Sequence, residues 1–266
     1  MGYSAYIRCN CFEKGLAKPF KYAQYLVNNP DCFDLNLPEE LKGTSKESEI
    51  EDEFSSWRHS YCEHEDGEYY SDRICNILGM AHFRSTIDSL NGEKKFPTLY
   101  NYLPTSNDGY IPFKENENFK NELLKLKSYG KIHSLGLYYK DEEGYLNLSA
   151  NAVNGNTEIF FFHPKADMGL NGHKFFISTN NEIVFESRDF SVKKNAEGYV
   201  FKDNENQNMF VSDAFFLEES FKKMDKIVFS MKEEDIDIEE AHGYIIDTLL
   251  TLIEKSNEIG MPVCWI

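Results

Sequence analysis

The spacing of apolar residues changes character near residue 130, and that change predicts the architecture. Tyr3-Ser4-Ala5-Tyr6-Ile7-Arg8-Cys9 alternates in side-chain character and is rich in aromatic and β-branched residues, which predicts a first strand running into Cys11. A loop punctuated by Gly15, Pro19, Pro30 and Pro38 follows. From about Glu49, the three- and four-residue spacing of Phe54, Trp57 and Tyr61 predicts a helix ending near Cys62. The stripe Tyr70, Ile74, Ile77, Leu78, Ala81, Ile87 and Leu90 predicts a second helix from about Glu68 to Leu90, stopped by Asn91-Gly92. Phe96-Pro97-Thr98-Leu99 and Leu103-Pro104-Thr105-Ser106-Asn107-Asp108-Gly109 read as turn chemistry. A third helix is expected from about Glu115 to Tyr129, carrying Phe119, Leu123, Leu124 and Leu126.

Beyond Gly130 the period falls to two. Strands are predicted at Ser134 to Lys140, Tyr145 to Ser149, Glu158 to His163, His173 to Thr179, Glu182 to Ser187, Phe190 to Lys194, Tyr199 to Asp203, Met209 to Leu217 and Lys222 to Met231. Asp141-Glu142-Glu143-Gly144, Thr179-Asn180-Asn181 and Asn195-Ala196-Glu197-Gly198 supply hairpin or near-hairpin turns. Helical spacing returns from Ile238 to Ile259 and stops at Gly260 and Pro262. The expectation is an α+β fold: a helical N-terminal half and an antiparallel β-meander C-terminal half closed by a C-terminal helix. Residues 1–130 form the mainly helical region with its N-terminal strand and residues 131–266 the sheet region, or the whole is one domain over 1–266.

Composition adds a packed core, since 41% of the 266 residues are hydrophobic and 15% aromatic. The 45 acidic against 28 basic residues give a net charge of −17, which repels phosphate backbones and anionic lipid, so nucleic acid and membrane surfaces are poor partners. A basic protein is the partner that this charge attracts, and a merely solvated surface is the plainer alternative. Met1-Gly2 lacks the Ser or Thr that myristoylation wants at position 6, where Tyr6 stands. No leader and no apolar stretch of about 20 residues is visible, so the expected location is cytoplasmic. Reduced cysteines then serve as packing residues, reactive thiols or metal ligands.

The most chemical constellation pairs Cys9-Asn10-Cys11 with Cys62-Glu63-His64. At a strand end, residues i and i+2 point the same way, so Cys9 and Cys11 present two thiols together. Cys62 and His64 complete a Cys3His set for zinc if the two pairs meet, and ordinary buried cysteines are the alternative. Glu63, Glu65, Asp66 and Glu68 crowd the same place, either as acid-base groups beside His64 or as a helix start. His163, Asp167 and His173 fit a two-His, one-carboxylate set or simply a loop, and Asp203-Asn204-Glu205-Asn206 a polar turn. Glu233, Glu234, Asp235, Asp237, Glu239 and Glu240 form a dense acidic segment, suited to a basic partner or to the start of the closing helix. A second acidic run spans Glu47 to Glu53. P-loop, dinucleotide-binding, nucleophile-elbow and zincin motifs are absent.

Several stretches together resemble an uncharacterised family of bacterial proteins: Met1-Gly2 with Arg8-Cys9-Asn10-Cys11, Trp57 with Cys62-Glu63-His64-Glu65, Phe96-Pro97-Thr98-Leu99, Leu103-Pro104 with Asn107 and Gly109, and Phe185-Glu186-Ser187-Arg188-Asp189-Phe190. The tail Gly260-Met261-Pro262-Val263-Cys264-Trp265 is similar to an ending that usually reads Gly-Asn-Pro-Val-Arg-Trp, from which Met261 and Cys264 depart. The resemblance implies a single bacterial architecture and attaches no activity. The leading functional expectation is therefore a non-catalytic acidic binding protein, of immunity type by analogy of charge and setting, that neutralises a basic partner without a cofactor. The alternative is a metal-dependent hydrolase or a zinc-stabilised protein built on Cys9, Cys11, Cys62 and His64.

Overall fold

The N-terminal alternation becomes strand β1 (Gly2–Arg8), with Tyr3, Ala5 and Ile7 buried on one face. The computed structural model describes residues 1–266 apart from Met1, Asp31, Asn107, Asn154 and Gly155. Met1 of the opening dipeptide and Asn107 of the 103–109 turn thus lie outside the described residues. After β1 come β2 (Leu26–Asn28), β3 (Phe33–Leu35), α1 (Ser45–Arg58), β4 (Glu68–Asn76), α2 (Ile77–Ser89), α3 (Gly92–Lys95), α4 (Pro97–Tyr102), β5 (Tyr110–Ile111) and α5 (Asn116–Lys127). The remaining elements are β6 (Lys131–Lys140), β7 (Leu146–Val153), β8 (Thr157–Phe161), β9 (Asp167–Asn171), β10 (Lys174–Thr179), β11 (Glu182–Ser187), β12 (Asp189–Asn195), β13 (Gly198–Asp203), β14 (Met209–Ser212), β15 (Lys226–Asp237), α6 (Ile238–Ile259) and β16 (Val263–Trp265). They form two compact units, one from residues 1–80, 93–129 and 242–266, the other from 81–92 and 130–241.

In the first unit, an antiparallel sheet has the order β4-β1-β16-β5, so the C-terminal strand pairs beside the N-terminal one with Ala5 opposite Trp265. Helix α1 starts where Thr44 accepts a hydrogen bond from the Glu47 backbone N–H at 3.3 Å, an N-cap that satisfies one orphan donor of the first turn. It buries Ile50 and Trp57. Around Trp57 gather Phe20, Phe33 and Tyr61, with ring centroids 5.3, 5.0 and 5.1 Å away, and the indole Nε1–H donates to the Lys18 carbonyl at 2.7 Å. Cys9 and Cys11 belong to the same buried cluster.

The N-terminal half is not the helical region that the sequence predicts: the chain is mostly antiparallel sheet with a few helices. It begins with a strand, and the stretch read as a helix from Glu68 to Leu90 is strand β4 up to Asn76 and helix α2 only from Ile77. Tyr70 and Ile74 fit an i, i+4 stripe, yet β4 runs along β1 from Gly2 opposite Asn76 to Arg8 opposite Glu68, and this tertiary pairing overrides local spacing. Ile77 and Leu78, counted in that stripe, are exposed; Met80, Phe83, Ile87 and Leu90 are the buried positions. Residues 96–99 are not merely a turn, since Pro97 opens α4 at the first helical position, where its missing N–H costs nothing.

The second unit holds two antiparallel sheets in place of a single meander: β11-β10-β9-β8 and β14-β13-β12-β15-β6-β7. Strand β15 returns to lie between β12 and β6, a non-local pairing. The two sheets share one aromatic core in which Phe175 of β10 stacks on Phe190 of β12 at 4.5 Å and Phe190 on Phe229 of β15 at 4.8 Å. Among the described residues no helix is long and apolar enough to cross a membrane.

Candidate metal centre

Cys9 extends the inward face of β1 by one more alternation and is 2% exposed. The chain then turns, with Leu16 N–H donating to the Cys11 carbonyl at 2.8 Å and Gly15 at φ +68°, so that Cys11 is folded back beside Cys9. Asn10 fixes this turn by donating from Nδ2 to the Ile259 carbonyl at 2.7 Å. Cys62 and His64 come from the link between α1 and β4. That link is held to the first by two backbone bonds, Cys9 N–H to the Gly67 carbonyl at 2.8 Å and Lys18 N–H to the Tyr61 carbonyl at 2.7 Å.

The two pairs meet. The three Sγ atoms and a ring nitrogen of His64 all lie within 4.8 Å of one another. Cys9 and Cys62 sulfurs are 3.4 Å apart, and His64 Nδ1 sits 3.4 Å from Cys11 Sγ and 3.7 Å from Cys62 Sγ. Zinc bonds of about 2.3 Å to sulfur and about 2.0 Å to nitrogen at tetrahedral angles demand edges of about 3.8 Å between sulfurs and about 3.5 Å between sulfur and nitrogen. These three edges fall within a few tenths of an ångström of those values and all six lie within 4.8 Å, so the donor set suits the ion in number and kind and needs only a small contraction to close on it. Without a cation the cluster resists ionisation: burial, then the neighbouring Cys9 and Cys62, pushes the Cys11 thiol up to about 12 from its ordinary 9.0. Burial likewise raises Cys62.

Sequence reasoning missed two supporting residues. Tyr61 places its hydroxyl 3.2 Å from Cys9 Sγ and 3.4 Å from the Gly67 carbonyl, and burial pushes its pKa upward. Gly67, at φ +69°, lets the backbone pass against that ring, since a Cβ there would come within 2.4 Å of it. The adjacency of Tyr61 to Cys62 was the available signal for the first; a Gly five residues beyond Cys62 carries none.

The other proposed groups do different work. Glu63 and Glu65 are exposed, and Asp66 is engaged by His59 Nδ1 at 2.6 Å. Asp167 opens strand β9 and His173 lies beyond its far end, while the His163 backbone N–H donates to Asp167 at 3.4 Å, so the trio is not one site. Asp203 Oδ1 accepts from the backbone of Glu205 and Asn206, which makes that segment a polar turn.

The segment read as a helix start from Glu233 is strand up to Asp237, because β15 pairs with β6 along its length. Glu233 meets Arg188 at 3.0 Å, and that guanidinium holds its carboxyl below the usual range. Glu234 accepts from Tyr138 at 2.5 Å, Asp235 lies 3.4 Å from His133, and Asp237 caps α6 by accepting from Glu239 N–H at 2.9 Å. Glu239 and Glu240 are exposed in the first turn of α6. In the other acidic run, Lys46, Tyr22 and Lys21 surround Glu49 and bring its carboxyl down to about 2, whereas Glu51, Asp52 and Glu53 face solvent. Compared with family models, curated proteins and solved structures, the chain matches none of them.

Proposed function

We propose that the chain is a non-catalytic binding protein whose first unit is stapled by a structural zinc ion held by Cys9, Cys11, Cys62 and His64. The observation that carries this reading is the convergence of four donor atoms, from segments some fifty residues apart, within 4.8 Å. Four protein ligands close a tetrahedral shell, whereas hydrolytic zinc keeps a position open for water, so the closed set favours a structural role over the hydrolase alternative. The position of the cluster agrees: it joins the end of β1 to the link between α1 and β4, two segments that otherwise hold each other by a few backbone bonds and aromatic contacts.

The test is elemental analysis of protein purified without an affinity tag. About one zinc per chain, lost on Cys11→Ser, is the expected result. A chain that takes up no zinc after reduction and reconstitution contradicts the reading.

Binding of a basic protein partner is the second part of the proposal, and the exposure of Glu51, Asp52, Glu53 and Glu240 favours it. Glu233, Glu234 and Asp235 contribute less, because each already has a partner within the fold: Arg188, the Tyr138 hydroxyl and His133. Recovery of a basic partner from the native host at low salt and its loss at high salt supports this part; a partner held without salt sensitivity counts against it.

A further inference from the structure

Beside the metal cluster, and sharing Tyr61 with it, the first unit holds a cleft of about 320 Å³. We propose that this cleft binds a small monoanionic carboxylate with an apolar or aromatic body, gripped by Arg8 and Arg58 between the rings of Tyr6, Phe33 and Tyr61.

Tyr3, Ala5 and Ile7 occupy the buried face of β1, so Tyr6 and Arg8 fall on the other, and both line the cleft. Arg8 is nevertheless only 5% exposed. A guanidinium withdrawn from water needs its donors paired, and here the pairing is incomplete. Nη2 donates to Glu13 at 2.8 Å and the group lies 4.3 Å over the Phe33 ring, while the buried Nε and Nη1 have no hydrogen-bond partner among the described residues.

The second cation of the cleft is Arg58, the last residue of α1, which is exposed and whose guanidinium makes no ion pair among the described residues. Two carboxylates line the cleft, Glu68 and Asp66, the latter engaged by His59 at 2.6 Å; Arg8 has its ion pair with Glu13, which is not part of the lining. Only five arginines occur in this chain of net charge −17, and two of them line this one cleft. Arginine is the side chain suited to a planar carboxylate, because its fork of donors matches the two oxygens. The ring walls supply apolar surface for the rest of the ligand. A monoanion fits better than a phosphate dianion, since every added negative charge works against the net charge and against Glu68 in the lining.

The proposal does not rest on the metal, and its test is arranged accordingly. The full chain, with equal zinc content in every sample, is titrated with benzoate, with benzamide as its uncharged shape match, and with inorganic phosphate, following backbone amide shifts and calorimetry. Benzoate is expected to bind saturably with a Kd of about 1 mM, benzamide about tenfold or more weaker, and phosphate weaker than benzoate. Arg58→Gln, an exposed substitution, is expected to weaken benzoate by about tenfold with an unchanged amide spectrum elsewhere, and Arg8→Lys, which keeps the charge and loses the fork, to weaken it as well. Benzamide binding as tightly as benzoate, affinity unchanged in both variants, or no saturable binding overturns the site. Phosphate binding tighter than benzoate overturns the ligand class.

Discussion

Replacing Cys62 by serine removes one donor from the cluster while disturbing little else, because Cys62 is half-buried and serine differs by one atom. Its sulfur stands 3.4 Å from Cys9 Sγ and 3.7 Å from His64 Nδ1, so it forms two edges of the tetrahedron. Structural zinc in small Cys/His sites is worth about 10–16 kcal/mol, which spread over four ligands is about 3–4 kcal/mol each, or two to three decades of affinity. For a unit of this size that corresponds to a fall in Tm of about 6–16 °C at fixed free zinc. The assay is thermal unfolding of the parent and Cys62→Ser, each with zinc and with chelator. Chelation should lower the parent to the zinc-loaded variant or below it, and lower the variant by less, because the variant holds zinc two to three decades more weakly. Cys75→Ser, on β4 and outside the cluster, is the control that keeps its zinc response. A Tm change in Cys62→Ser below about 2 °C, with unaltered response to chelator, refutes the reasoning.

Other outcomes follow from the same geometry. With zinc removed, Cys11 keeps its proton up to about 12 in the folded state and to about 9.0 in the unfolded one, so its contribution is whole below pH 9.0 and is lost as pH rises toward 12. Chelated protein should therefore lose Tm as pH rises from about 9 toward 12, and a profile flat across that range contradicts the crowding of the thiols. Gly67→Ala places a Cβ against the Tyr61 ring at a left-handed φ, and urea unfolding should report a loss of about 2–4 kcal/mol. A loss under about 0.5 kcal/mol means the ring moves freely. Phe190→Ala in the second unit should cost about 3–5 kcal/mol in the same assay while leaving zinc stoichiometry unchanged; a loss of zinc would tie the centre to that unit.

The parts of the fold that were legible in the sequence are those decided locally. The turns between β10 and β11 and between β12 and β13 could be read because Asn180 and Asn181 adopt φ of +50° and +65°, and Asn195 Oδ1 caps the N–H groups of Glu197 and Gly198. Helix α6 announced itself by a long stripe, and Gly260, at φ +73°, ends it. What failed depended on distant partners. β4 reads as helix until β1 lies beside it, and β16 is three residues after Pro262 whose strand character comes only from β1 and β5. Strand β15 carries its acidic end as strand because β6 runs alongside, and two sheets form where a continuous period of two suggested one. The four candidate ligands were nameable from strand alternation and a Cys-x-His spacing, yet their meeting rests on the Cys9–Gly67 and Lys18–Tyr61 backbone bonds, which no local pattern announces. Arg8 could be noticed only as the single charge on strand β1.

X-ray absorption at the zinc edge of the reconstituted protein reads the proposed closed Cys3His shell ligand by ligand. Three sulfur neighbours at about 2.3 Å and one nitrogen at about 2.0 Å are the expected result, with one sulfur replaced by oxygen or nitrogen in Cys62→Ser. A first shell dominated by oxygen or nitrogen in the parent protein, or a sulfur count unmoved by Cys62→Ser, contradicts it.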